Sequence, residues 1–115
     1  MIDGRRLKEI SEYFKILGSH TRLGIIELIG KGVHHSHIAE ELNVSLPAIF
    51  KHLELLKSKG IVKKEISGDG TVYVLTERGK ALLFQIKKFQ DIVWDEKREE
   101  YEKLLDEIEG EMQRL

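Results

Sequence analysis

Apolar residues recur along this chain at spacings that change from stretch to stretch, and each change marks an element. Leu7, Ile10, Phe14 and Leu17 step by three, four and three, which places them on one face of a helix over residues 5–17. Gly18 follows as a stop. Ser19 can cap a second helix whose stripe is Leu23, Ile26 and Leu28/Ile29, ending in Gly30-Lys31-Gly32. A short third helix buries Ile38, Ala39 and Leu42 and turns Glu40 and Glu41 outward. Asn43 then stands where the chain must turn sharply, and asparagine tolerates the left-handed conformation. Ser45 opens a fourth helix with Pro47 in its first turn, where a missing N–H does little harm. That helix runs to about Lys59, where Gly60 closes it and Ile61 packs back over its end. Two β-branched runs, residues 61–66 and 71–75, flank Ser67-Gly68-Asp69-Gly70 and predict a hairpin. Thr76 and Glu77 start a last, long helix. Its apolar positions fall into two sets, Leu82, Ile86, Phe89, Val93 and then Tyr101, Leu105, Ile108, Met112, Leu115. The second set is an a/d heptad seam. Asp95 to Glu100 holds no apolar residue, so the helix is either exposed there or divided in two.

A short helix, a three-residue turn, a longer helix and a hairpin follow the order of a winged helix-turn-helix. The predicted fold is mainly α with a small β-hairpin wing and flanking dimerisation helices. Residues 1–18 form an N-terminal dimerisation helix, 19–75 the DNA-binding domain, and 76–115 a long dimerisation helix or helix pair. At 100° per residue, Ile49, Leu53 and Leu56 share one side of the fourth helix, flanked by Ala48, His52 and Leu55. Leu46, Pro47, Phe50, Lys51 and Glu54 lie opposite, on the face that would enter a major groove. Lys51 is the best base or phosphate contact there, and Leu46 and Phe50 would meet thymine methyls or a protein surface. Candidate DNA contacts are Ser45, Leu46, Pro47, Phe50, Lys51 and Lys57, with Lys63, Lys64 and Thr71 on the wing. Leu7, Ile10, Phe14, Ile86, Phe89, Val93, Tyr101, Leu105, Ile108 and Met112 are candidates for dimerisation.

The stretch from Ile38 through Asn43-Val44-Ser45-Leu46-Pro47-Ala48-Ile49-Phe50-Lys51-His52-Leu53 to Val62 resembles the helix-turn-helix of the ArsR-type winged-helix transcriptional regulators. Leu17-Gly18-Ser19-His20-Thr21-Arg22-Leu23 is similar to that family's second-helix opening, and Leu75-Thr76-Glu77-Arg78-Gly79 to its wing exit. The resemblance covers about residues 14–80. It implies a homodimer that represses transcription by occupying a promoter. Three features depart from the family pattern: Leu46 and Phe50 replace polar residues, Glu54 faces outward, and Asp69 makes the wing tip acidic. In metal-sensing members the stretch before the third helix carries a Cys-x-Cys pair; here the matching positions are His34 and Ser36, followed by His37. His34, His35 and His37 form an alternative ligand set for zinc, nickel or copper, but the reading is that no metal and no cofactor is bound. His52 matches a common family histidine and is read as structural.

Composition narrows the possibilities. With no cysteine among 115 residues, disulfides, thiol nucleophiles and thiolate metal sites are excluded. The net charge is −1, but residues 1–75 carry +2 and residues 76–115 carry −3, so only the first part suits a polyanion. One asparagine and three glutamines against 39 charged residues is a balance found in heat-adapted proteins. Met1-Ile2-Asp3-Gly4-Arg5-Arg6 has no apolar signal region, and no run is long enough to span a bilayer, so a cytoplasmic chain without membrane contact is expected. There is no glycine-rich phosphate loop, and Glu40 and Glu41 diverge on a helix, so an enzyme is not expected. Two readings remain. The first is a homodimeric regulator reading a partly palindromic duplex operator. The alternative is a winged-helix interaction module that docks on protein through Leu46 and Phe50.

Overall fold

Each helix begins where a side chain can satisfy the free amides of its first turn. The computed structural model describes residues 2–68 and 70–114, the side chain of Glu96 excepted; Asp69 of the wing tip and Leu115 of the heptad seam lie outside them. Helix α1 spans Gly4–Leu17, α2 His20–Gly30, α3 His35–Leu42, α4 Leu46–Ser58 and α5 Glu77–Gln113; strands β1, Val62–Ser67, and β2, Gly70–Leu75, lie between α4 and α5. Asp3 accepts from the Arg6 N–H at 2.9 Å, Ser19 from Arg22 and Ser45 from Ala48, both at 3.3 Å, and Thr76 from Gly79 at 3.0 Å. The strands pair antiparallel, Val62 opposite Leu75 through Ser67 opposite Gly70.

The core is built from one face of every element of the first 83 residues. Ile25, Ile26, Ile38, Ile49, Leu53, Leu56 and Ile61 are wholly buried, and Val62, Tyr73 and Leu75 close it from the hairpin. Burial of each such side chain contributes roughly 1.5–3 kcal/mol. Helix α2 departs from the predicted single stripe. Ile25 joins Ile26 and Ile29 in the core while Leu23 and Leu28 are half-buried, because α2 packs against α1, α3 and β2 at once. Helix α1 turns a different side to the core from the stripe expected to meet a second chain. Its stripe of Leu7, Ile10 and Phe14 is exposed, and Tyr13, Ile16 and Leu17 face the core instead. Gly18 ends α1 in an ordinary backbone conformation; what it supplies is room, since a Cβ there would sit 3.1 Å from the Phe14 carbonyl oxygen.

The wing exit is a knot of short bonds. The Thr76 hydroxyl donates to the carbonyls of Gly60 and Ile61, and the Thr76 N–H donates to Ile61 at 3.1 Å. Gly79 follows one turn later, and a Cβ there would stand 2.1 Å from the Ile61 carbonyl oxygen. Arg78 donates to the Tyr13 hydroxyl at 2.8 Å and to the Lys59 carbonyl, tying α5's first turn to α1 and to the end of α4. Leu83 and Phe84 fall on either side of the division between two compact units, the second of which is the remainder of α5. Within that second unit residues 95–100 are helical, so the charged stretch does not break α5. Among the described residues no helix is long and apolar enough to cross a membrane.

Candidate nucleic-acid interface

The turn between α3 and α4 is set by Asn43, which ends α3 in the left-handed conformation at φ 52° and ψ 47°. The Val44 N–H then donates back to Ala39 at 3.0 Å, and α4 starts two residues later at a fixed angle. Helix α4 divides as its periodicity predicts. Ile49, Leu53 and Leu56 have no exposure, while Pro47, Lys51, Glu54 and Lys57 are open and the apolar Leu46 and Phe50 are 39% and 36% exposed. Leu46 and Phe50 are therefore outward residues of the recognition face. The Ser45 hydroxyl is occupied as the α4 cap.

Hairpin alternation puts Val62, Lys64 and Ile66 on one side of β1, opposite Leu75, Tyr73 and Thr71. Val62, Tyr73 and Leu75 are buried, and Thr71 and Ile66 emerge beyond the core, Ile66 being 93% exposed. Lys64 lies exposed on this side, toward α4. Its ammonium stands 3.5 Å from the Glu54 carboxylate on α4 and 5.7 Å from the centre of the Tyr73 ring. The Tyr73 hydroxyl and, after it, the Glu54 charge raise the Lys64 pKa. Lys63, on the other side of the strand, pairs with Glu65 at 3.4 Å. Both pairs are largely solvated and weak. Among the described residues no carboxylate lies within ion-pairing distance of Lys51 or Lys57.

The histidines do separate work. His34 caps α3: its Nδ1 accepts from the Ser36 N–H at 3.3 Å and lies 2.8 Å from the Ser36 hydroxyl. His35 packs its ring 5.2 Å from Phe50 and 5.6 Å from Tyr73, with Nδ1 buried and without a hydrogen-bond partner among the described residues. His37 faces Glu40 at 3.7 Å in solvent. No three His, Asp or Glu side chains among the described residues are placed to hold a metal ion. His52 accepts from the Arg22 Nε–H at 3.1 Å, and Arg22 also donates to the Ile16 carbonyl, so His52 joins α4 to α2 and the end of α1.

The sequence did not disclose that His35 touches the recognition helix and the wing together, nor that Glu54 meets Lys64. Both contacts join residues far apart in the chain, and neither leaves a periodic trace. The expected dimer residues stand exposed in each unit: Leu7, Ile10 and Phe14 on α1, and Phe89, Val93, Tyr101, Leu105, Ile108 and Met112 on α5, with Ile86 half-buried.

Comparison with known proteins agrees with this geometry. A family model described as winged helix-turn-helix matches residues 22–93. An HTH-type transcriptional regulator of Methanocaldococcus jannaschii is 32% identical over 74 residues, which cover 63% of this chain and 83% of that protein. Two solved structures share the fold. One is the homodimeric winged helix-turn-helix domain of Mb0332 from Mycobacterium bovis, a possible ArsR-family regulator: 24% identity, TM-score 0.64, 79% of this chain and 89% of that one. The other is FabT of Streptococcus pneumoniae in complex with DNA: 23% identity, TM-score 0.61, 82% of this chain and 80% of that one. Residues 22–93 include the α3–α4 turn, the wing and the Thr76–Gly79 exit, and on that match the chain belongs to the winged helix-turn-helix family of transcriptional regulators, which are not enzymes.

Proposed function

We propose that this regulator is a cytoplasmic homodimer that binds duplex DNA, each subunit placing α4 in a major groove and its hairpin on the neighbouring backbone. Residues 19–75 are the DNA-binding part, and the N-terminal helix and residues 76–115 assemble the dimer. Two recognition helices related by a two-fold axis then read a partly palindromic operator with half-sites about one turn apart. Occupying the promoter in this way represses transcription.

The observation that carries the reading is α4 itself. One side is fully buried and anchors the helix, while the other presents Leu46, Phe50, Lys51 and Glu54 to solvent with the wing beside it. Such a face is what a major groove admits. Lys51 on that face, and Lys57 at the end of α4 where it borders α1, have no acidic partner among the described residues. Exposed apolar faces on α1 and α5 support a second copy as the partner. The DNA complex of FabT and the homodimeric state of Mb0332 are precedents within the fold.

The test is a salt titration of binding to a duplex selected from random sequence. Lys51→Ala and Lys57→Ala should each weaken binding and reduce the slope of log affinity against log salt by about one. If the unaltered protein binds no duplex at low salt, Leu46 and Phe50 belong to a protein-docking surface instead.

A further inference from the structure

The recognition face offers two side chains able to hydrogen-bond a base edge, the donor Lys51 and the acceptor Glu54; Leu46, Pro47 and Phe50 offer none. A carboxylate facing DNA is repelled by every phosphate near it. Glu54 is compensated from the wing, because Lys64 of β1 lies 3.5 Å away, steered by the Tyr73 ring beneath it. The pair leaves the seam between recognition helix and wing without net charge, and it holds a lysine of the backbone-facing element away from any phosphate. Both partners are about half exposed, so the pair is weak enough for a ligand to separate.

In a major groove the donor that suits a carboxylate is the cytosine 4-amino group. We propose that Glu54 is the specificity-determining residue of this interface. On a sequence presenting a cytosine, its carboxylate accepts from the base amino group and releases Lys64 to a phosphate. On any other sequence the pair stays closed, and the phosphate contact is not made. Base readout by α4 and backbone binding by the wing are thereby one event. The proposal rests on the DNA-binding reading above.

The experiment compares the intact protein with Glu54→Gln, Lys64→Met and the double variant. Each is titrated by fluorescence anisotropy against the selected operator and against random duplex over a range of salt. None of these side chains is in the core, and thermal melting checks each fold. Glu54→Gln is expected to tighten binding to random duplex several-fold and to steepen its salt slope by about 0.9, the contribution of one phosphate contact. The operator slope should stay unchanged, since Lys64 is already released there. Preference for cytosine at one position of each half-site should be lost. In the Lys64→Met background the same substitution should leave the random-duplex slope as it was. Equal gains in both backgrounds with no change in slope would mean that Glu54 only repels DNA, and the proposal would fall. Retained cytosine preference in Glu54→Gln would also overturn it. If the intact protein binds neither duplex, the DNA reading itself fails, and the proposal with it.

Discussion

His35 buries a ring nitrogen among aromatic rings, with no hydrogen-bond partner for it among the described residues. Desolvation, and then the neighbouring His34, lowers its pKa from the ordinary 6.5. Desolvation, and then the Arg22 charge, lowers that of His52 in the same way. Both rings are thus favoured neutral in the folded chain. The unfolded chain binds protons first as pH falls, so the stability these two rings contribute is complete above about 6.5, declines below it, and is gone once pH passes the lowered folded values. The melting temperature should therefore drop as pH falls below about 6.5. His35→Phe should blunt that drop and raise stability at pH 7, since an unsatisfied buried polar atom costs about 1–3 kcal/mol and the aromatic packing is kept. A pH profile of the melting temperature decides it. A variant less stable at pH 7, with the acid slope unchanged, would show that the ring nitrogen matters in some other way.

Two glycines inside α5 make opposite demands on one element. Replacing a helical glycine by alanine ordinarily stabilises by roughly 0.5–1 kcal/mol. Gly110 has open space around its missing Cβ, so Gly110→Ala should follow that rule. Gly79 faces the Ile61 carbonyl at a distance no Cβ can share, and backbone cannot move aside as a side chain does. Gly79→Ala should destabilise by about 2 kcal/mol or more, shifting the first turn of α5 off the hairpin. Thermal or denaturant unfolding of the two variants gives the comparison, and a stable Gly79→Ala would contradict the close approach. The pair also shows where sequence reading reaches. Caps and turns are local, so Ser19, Asn43, Ser45, Gly60 and Thr76 disclosed nearly every element boundary. Leu75-Thr76-Glu77-Arg78-Gly79 could be matched as a wing exit, but the reason for its glycine lies in Ile61, eighteen positions earlier. Ten positions and a change of element hide Glu54 from Lys64 in the same way. In α1 the regular stripe of Leu7, Ile10 and Phe14 located the helix but not its core side, because periodicity records an apolar face without recording what covers it.

At the scale of the whole molecule, the proposed homodimer is what would cover the exposed apolar residues. On α5, Tyr101, Leu105, Ile108 and Met112 are each 46–67% exposed, and the neighbours of this a/d seam are nearly all charged. A lone helix of this kind is poorly stable in water, since nucleation is costly and it has no packing to repay it. Residues 96–115 carry 8 acidic and 4 basic side chains, so two copies repel, but at physiological salt the repulsion is screened within about 8 Å. Burying each leucine-sized side chain contributes roughly 1.5–3 kcal/mol, and several per chain outweigh that repulsion. Leu105→Asp with Ile108→Asp should therefore dissociate the dimer at micromolar concentration. Neither residue belongs to the core cluster of the first unit, so that unit should still melt cooperatively. Operator affinity should fall steeply, because one half-site offers few contacts, while the weak binding to random duplex should fall far less. Sedimentation and anisotropy on the same sample read both effects. Leu7→Asp with Phe14→Asp is the paired control on α1. If the α5 variant stays dimeric with full operator affinity and the α1 variant does not, Leu7, Ile10 and Phe14 carry the association, and the heptad seam of α5 serves some other contact.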